Sequence, residues 1–315
     1  MTKKRTKRTP PKQKRKQTSA SQKSRSAARV PRKRASTKAI AARAALNRGS
    51  KPLRIFAKPQ LGEKLARRIA AATPATGFDF AATLAGKTTH FQVYYQTGFA
   101  NGPAIAQGVL TTCERDYNAQ VAFFSGLAIP TLPVNILIGS GIGGAYHYGC
   151  AAVDLYCDGD SSVKPDVDLT RMLAVAEEVE VFEAAQNKGW DCGASNGEGL
   201  SRVLATQLYP AQLDGFATAA AWLDSSGRAD WVSKTDPTDQ NAVSTGCAVL
   251  FLNYLRYQLN YSWQEIIQAA GATLEKTYGG VTGKSGAFAP FKALLDSHFP
   301  AGQPSGLTTD NPFPL

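Results

Sequence analysis

Two different spacings of apolar residues predict strands and helices in the second part of the chain. Residues 90–95 and 133–138 are rich in β-branched and aromatic side chains, which predicts two strands, and a third short strand is predicted at 152–156. Between the first two strands, apolar residues recur at helical spacing and predict one helix over residues 104–124. This order predicts a strand–helix–strand unit.

A glycine-rich loop follows the second predicted strand at residues 139–144. A loop of this kind binds phosphate when a Lys-Ser or Lys-Thr pair follows and a helix begins directly after it. This loop lacks that pair, and the residues after it show no helical pattern. We therefore expect a flexible turn here.

Residues 168–187 form the next predicted helix, and Lys188-Gly189 predicts its end. Its apolar stripe consists of Met172, Val175, Val179 and Phe182. The stripe predicts that one face of this helix packs against the rest of the protein.

Three glutamates, Glu177, Glu180 and Glu183, stand at i, i+3 and i+6 on the flank of that stripe. Buried carboxylates repel one another and require cations, hydrogen bonds or raised pKa values. Helical periodicity alone favours the simpler interpretation, in which these side chains edge the helix and stay in contact with water.

The loop after this helix leads into a second predicted helix, in which Glu198 lies near the start, in the sequence Asn-Gly-Glu-Gly. The run Ala-Glu-Glu-Val-Glu at 176–180 precedes it, with 17 residues between Glu180 and Glu198. This pair of helices resembles the metal-binding core of the gluzincin zinc peptidases. In that family the first helix carries His-Glu-x-x-His, whose two His bind zinc while the Glu between them activates water, and the second helix carries a further Glu.

The resemblance implies that Glu177 matches the general base and that Glu198 matches the third zinc ligand. Ala176 and Glu180 stand where the two His would be, so we expect no zinc cofactor. The carboxylates of Glu177, Glu180 and Glu198 would then form a cluster in the cleft. Their hard oxygen atoms suit calcium, magnesium or manganese better than zinc.

The resemblance also implies an α+β, gluzincin-like fold over roughly residues 80–300. We expect a single peptidase-like body at 59–315. Its first half, about residues 75–163, would be the small strand–helix–strand unit, and its second half, 164–315, would be helical.

The second half carries three further helix signals. Residues 244–259 predict a buried helix. Ser262 and Glu265 form a predicted capping box for a helix that reaches about residue 270. An amphipathic pattern predicts a last helix at 286–299.

Charge separates the beginning of the chain from this body. Residues 1–58 hold 21 of the 36 Lys and Arg and no Asp or Glu, which leaves 15 basic against 24 acidic residues in 59–315, a net charge of −9. Residues 1–50 contain almost no large apolar side chains, so we expect 1–58 to be a disordered basic tail. The residues predicted to bind nucleic acid are Lys3, Lys4, Arg5, Lys7, Arg8, Lys14, Arg15, Lys16, Arg32, Lys33 and Arg34.

Such a tail, similar to those of linker histones, predicts salt-sensitive binding to nucleic acid or another polyanion without sequence preference. No aromatic residue precedes Phe56, so we expect no base stacking. A solvated charge run, a targeting segment and an anionic-membrane segment are the alternatives. No apolar segment of the kind found in signal peptides follows the basic residues. No apolar run is long enough to span a membrane. We therefore expect a cytoplasmic or nucleoid-associated protein of bacterial type.

Five cysteines and three histidines supply the remaining candidate chemistry. Cys113 and Cys247 lie in apolar helical patterns and are expected to be buried thiols. A zinc site of four ligands is conceivable, but its spacing matches no standard motif. Its members would be His147, Cys150, Cys157 and Cys192. Export would favour a disulfide among these three cysteines, whereas the odd total and the lack of a signal peptide favour reduced thiols.

The preferred interpretation is a catalytically degenerate peptidase-like protein with a polyanion-binding tail. Its role would be binding or structural, with an unidentified peptide or protein ligand in the cleft. One alternative is an active hydrolase that uses a carboxylate-held metal, with Glu177 or Glu198 as acid or base. Another is a nucleic-acid-packaging, coat-like protein, which the helical body disfavours.

Overall fold

A five-stranded sheet and a set of helices make up the part of the chain that the computed structural model describes, residues 77–160, 167–212 and 217–315. This confirms the predicted α+β class. The basic tail and every residue predicted to bind nucleic acid lie outside the described residues. The strands are β1 (Ala82–Lys87), β2 (Phe91–Gln96), β3 (Val134–Gly139), β4 (Ala145–Tyr146) and β5 (Asp154–Asp158).

The sheet has the order β1-β2-β3-β5-β4. Its three central strands are parallel, and the two edge strands run antiparallel to their neighbours. The strand predictions locate β2, β3 and β5 but miss both edges. β1 is half-exposed and consists of small and polar residues beside one leucine, while β4 has only two residues, so neither carries a run of β-branched or aromatic side chains.

The central strand β3 is covered on both faces, which its nearly continuous apolar sequence requires. Val134, Ile136 and Ile138 belong to the main core that the helices share. Leu137 points to the other face, where it joins a small cluster with Tyr146 and Tyr156.

The helix predicted at 104–124 is two helices in the structure, α1 (Gly102–Leu110) and α2 (Cys113–Phe123). The prediction of one continuous helix is wrong because two threonines interrupt it. Thr111 and Thr112 donate their hydroxyls to the carbonyls of Gly108 and Val109, the preceding turn. Arg171 also donates to Gly108 O, at 2.6 Å, and so caps the end of α1 from a distant helix.

The helical half contains seven further α-helices in the described residues, together with a short 3-10 helix (Pro210–Gln212) and a π-helix (Tyr254–Gln258) that continues α6. The α-helices are α3 (Val167–Gln186), α4 (Ser195–Leu208), α5 (Ala219–Leu223), α6 (Ala242–Asn253), α7 (Trp263–Gln268), α8 (Leu274–Thr282) and α9 (Phe288–His298). The predictions find all of these except α5 and α8. The capping box of Ser262 and Glu265 is confirmed, with the Glu265 amide and the Ser262 amide each bonded to the other residue's side chain.

The central helix α3 is buried on every side. It packs on β5 and on α1, α2 and α4, and 14 of its 20 residues are buried, glutamates included. The expectation that Glu177, Glu180 and Glu183 stay in contact with water is therefore wrong. Amphipathic periodicity describes a helix with one solvent face, and α3 has none along this stretch.

No helix within the described ranges is both long and apolar enough to cross a membrane.

Candidate functional site

The site is built between α3 and α4, which pack closely against each other. Two glycines of α4 let its backbone approach its neighbours closely. Gly197 meets the Glu183 carboxylate of α3 and the loop at Asp191, and Gly199 meets α6. A Cβ at Gly197 would lie 2.3 Å from the Asp191 carbonyl oxygen, and a Cβ at Gly199 would lie 2.7 Å from the Cβ of Ala248 on α6. Glu198, between these glycines, is thereby held in the interior.

His147, which follows β4, brings the two glutamates of α3 together. Its Nε2 lies 2.9 Å from Glu180 Oε2 and 3.8 Å from Glu177 Oε2. The side chain of His147 is 0% exposed, and those of Glu177 and Glu180 are each 1% exposed. Two of the three predicted cleft carboxylates, Glu177 and Glu180, thus meet around an imidazole.

The second nitrogen of His147 shows that this contact carries a proton. Nδ1 lies 3.1 Å from the carbonyl oxygen of Ala152, which can only accept, so Nδ1 bears a hydrogen. The contact between Nε2 and Glu180 Oε2 needs a second proton, because otherwise two lone pairs would face each other. His147 and Glu180 are therefore joined by a hydrogen bond in the interior of the protein.

Ser201 connects this pair to α4. Its Oγ lies 3.1 Å from the backbone oxygen of Glu198 and 3.5 Å from Glu180 Oε1. Because Ser201 is fully buried, its hydroxyl helps to satisfy polar atoms that water does not reach.

The carboxylate of Glu198 pairs with the guanidinium of Arg202, one turn along the same helix. Arg202 Nε donates to Glu198 Oε1 at 2.8 Å, and the two side chains are 7% and 0% exposed. Ala176, at the position of a motif histidine, offers no ligand atom. These residues do not fit the zinc set of a gluzincin peptidase, and no zinc-dependent step is derived from them.

A second buried carboxylate group lies on another side of α3. Gln120 Nε2 donates to Glu178 Oε2 at 2.5 Å. Burial raises the pKa of Glu178 well above its usual range, and the nearby charges of Asp116 and Glu114 raise it further, against the lowering effect of the Gln120 hydrogen bond. Burial therefore favours the protonated form of Glu178. Sequence periodicity gives no sign of this buried pair, since Gln120 comes from α2.

The glycine-rich loop between β3 and β4 is occupied by a carboxylate of the chain itself. The Gly143 amide donates to Asp158 Oδ2 at 2.6 Å, and the Asp160 amide donates to Asp158 Oδ1 at 2.8 Å. Burial raises the pKa of Asp158, which these hydrogen bonds oppose. The loop amide that faces Asp158 is thus not directed at a phosphate, in keeping with the predicted turn.

Two of the five cysteines are bonded to each other, which differs from the prediction. Cys150 and Cys192 form a disulfide, so the expectation of reduced thiols is wrong for this pair. Cys157 is a buried free thiol, like Cys113 and Cys247, and burial raises the pKa of each of these thiols.

The structure does not bring the four residues of the conceivable zinc site together as one group of ligands. Nε2 of His147, a carboxylate oxygen of Glu180 and Sγ of Cys192 all lie within 4.8 Å of one another, and Cys150 forms a separate group with Asp191 and Cys192. Cys157 belongs to neither group. His147 lies in one of these groups, but its main partner there, Glu180, comes from the motif that the sequence treats separately.

No protein-family model matches the chain, and no curated protein matches it in sequence. The resemblance to gluzincin peptidases therefore depends on the α3–α4 helix pair and on the positions of Glu177 and Glu198 along it.

Proposed function

We propose that this protein has a binding or structural role, with a peptidase-like body that does not hydrolyse peptides and a basic tail that binds nucleic acid or another polyanion. One observation supports the body's part of this proposal. The side chains of Glu177 and Glu180 are each 1% exposed, and that of Glu198 is 0% exposed.

A hydrolase must present its general base to a water molecule and its metal ligands to a substrate. In this protein a buried imidazole contacts Glu177 and Glu180, and a guanidinium contacts Glu198. The same burial means that the expected peptide or protein ligand of the cleft would not touch these three carboxylates. Such a ligand would bind on the outer surface of the body.

A peptidase screen tests the body. The full-length protein should release no product above the rate without protein from a panel of peptide and aminoacyl substrates, with or without added zinc, while a known zinc peptidase serves as the positive control. Glu177→Gln should change nothing in this screen. Hydrolysis that the wild type performs and that Glu177→Gln loses would show instead that Glu177 is an active general base.

The tail's part of the proposal is electrostatic. Residues 1–58 contain 21 basic and no acidic residues, whereas residues 59–315 carry a net charge of −9. A polyanion is therefore attracted by the tail and repelled by the body. Each phosphate that a Lys or Arg neutralises releases condensed counterions, so the logarithm of the affinity for duplex DNA should fall by about 0.9 per neutralised phosphate for each tenfold rise in salt.

Salt titrations of DNA and RNA binding test the tail. The full-length protein should bind both without sequence preference and with a steep salt slope. A shortened chain that begins at Pro59 should lose the binding, and so should a full-length variant with Gln at the eleven predicted basic positions. Equal affinity of the full-length and shortened chains would place the nucleic-acid contacts elsewhere.

A further inference from the structure

We propose that reduction of the Cys150–Cys192 disulfide turns the cluster of His147, Glu180 and Cys192 into a zinc-binding site. This goes beyond the proposed function, because it assigns a metal and a redox control to the cluster. Of its three residues, only Glu180 belongs to the peptidase-like motif.

The three ligand atoms are already close to the spacing that zinc requires. They lie within 4.8 Å of one another, and His147 Nε2 is 2.9 Å from Glu180 Oε2. Zinc bonds of about 2.0–2.3 Å in a tetrahedral arrangement hold neighbouring ligand atoms about 3.3–3.8 Å apart. Zinc binding therefore needs only a slight widening of the His–Glu contact and a movement of the Cys192 sulfur on the order of 1 Å.

The ligand chemistry also suits zinc. An imidazole nitrogen, a carboxylate oxygen and a thiolate are the three ligand types that zinc uses in proteins, and three protein ligands leave a fourth position open. The Ala152 carbonyl fixes the Nδ1–H tautomer of His147, so that Nε2 faces the cluster as a metal ligand would. Zinc would take the place of the proton that His147 and Glu180 share.

The disulfide controls this site because a thiolate is the metal ligand and a disulfide sulfur is not. Cys192 is buried against His147 and Glu180, while Cys150 is only partly buried and lies near the exposed Asp191. A reductant therefore meets Cys150 first, and the sulfur that it releases is the one inside the cluster.

The reductant required is a dithiol. One of its thiolates attacks Cys150 Sγ and forms a mixed disulfide, while the Cys150–Cys192 bond breaks and its electron pair remains on Cys192 Sγ. The second thiol of the reagent then displaces Cys150, which leaves the reagent as a cyclic disulfide and the protein as two thiols. Zinc binding afterwards releases the Cys192 thiol proton and the proton shared by His147 and Glu180.

Zinc titrations of three forms of the full-length protein test the proposal. The forms are the oxidised wild type, the wild type reduced with a dithiol and then desalted without oxygen, and Cys150→Ser, which frees Cys192 without any reductant. Zinc affinity is measured by competition with a chromogenic chelator, and proton release is followed in a weakly buffered solution. Cobalt replaces zinc in a parallel titration, because a thiolate ligand gives an intense charge-transfer absorption.

We expect one zinc per chain in the reduced wild type and in Cys150→Ser, with release of two protons and a thiolate-to-cobalt band. The oxidised protein should bind zinc at least about 100-fold more weakly, since even changes outside the ligand shell cost roughly 10–100-fold in metal affinity. Reduced Cys192→Ser, His147→Gln and Glu180→Gln should each show a similar loss. Reduced Cys113→Ser, which changes a buried thiol outside the cluster, should bind as the wild type does.

Several results would overturn the proposal. Equal zinc affinity in the oxidised and reduced wild type would remove the redox control. Unchanged affinity in reduced Cys192→Ser, or a cobalt complex without the thiolate band, would move the metal elsewhere. If neither the reduced wild type nor Cys150→Ser binds zinc, the cluster is not a metal site. None of these results bears on the peptidase screen or on the tail, so the two proposals can fail separately.

Discussion

Replacing Arg202 with Met should lower the free energy of unfolding by about 3–5 kcal/mol, because it takes the cation away from a buried carboxylate while leaving the carboxylate in place. Arg202 donates to Glu198 at 2.8 Å, and both side chains are nearly inaccessible to water. Arg202 also lowers the pKa of Asp310, which burial raises. Asp310 in turn accepts the Thr218 and Ala219 amides at the start of α5, at 2.7 Å each. Urea denaturation at pH 7 measures the loss.

A double variant separates the cost of taking Arg202 away from the buried Glu198 carboxylate from the value of the ion pair. Arg202→Met with Glu198→Gln should recover most of the loss, since well-packed uncharged residues often replace a buried pair without penalty. Lys292→Met is the matched control, because Lys292 and Asp296 form a half-exposed pair at the same i,i+4 spacing. That control should lose less than about 1 kcal/mol. A double variant as unstable as Arg202→Met would mean that packing, and not charge, sets the cost.

The sequence predicts most of the secondary structure because local signals determine it. β3, for example, has a nearly continuous apolar run with three β-branched residues, and the Ser262 and Glu265 capping box is complete within four residues. Some failures have a local cause, as at Thr111 and Thr112 between α1 and α2, and others involve a contact that is distant along the chain. The break between α1 and α2 is also reinforced by Arg171, which reaches Gly108 from 63 residues away.

The candidate site could be predicted only in part, for the same reason. The motif positions of Glu177 and Glu198 identify the helix pair, but periodicity treats every glutamate as a polar, solvated residue. The partners that allow burial come from elsewhere in the chain. His147 lies 33 residues before Glu180, and Gln120 lies 58 residues before Glu178. No regular spacing in the sequence links these partners to the glutamates. The contact between His147 and the α3 glutamates therefore becomes visible only in the fold.

Glu178→Gln should make the protein more stable at neutral pH, and the gain should disappear in acid. Burial raises the pKa of Glu178, so the folded protein keeps a proton that the unfolded chain releases above about pH 4.5. Below that pH both states hold the proton and the group contributes nothing to the pH dependence. Above it, each pH unit costs the wild type about 1.4 kcal/mol until the pKa of the folded state is reached.

Glutamine carries no titratable proton, so Glu178→Gln should escape this cost. Its side-chain oxygen can still accept from Gln120 Nε2, as Glu178 Oε2 does. The variant should match the wild type near pH 4 and exceed it at pH 7, with a difference that grows as the pH rises. Urea denaturation in buffers from pH 4 to pH 8 gives both curves.

Glu114→Gln supplies a control with the opposite sign. Partial burial raises the pKa of Glu114, but hydrogen bonds with Thr88 and His90 outweigh that and lower it. Its contribution to stability is therefore present above the unfolded pKa and is lost as the pH falls, so Glu114→Gln should be less stable than the wild type at neutral pH and converge with it in acid. If the curves of Glu178→Gln and the wild type instead run parallel from pH 4 to pH 8, Glu178 releases its proton in the folded protein as readily as in the unfolded chain. The interior around Gln120 would then have to stabilise an ionised carboxylate.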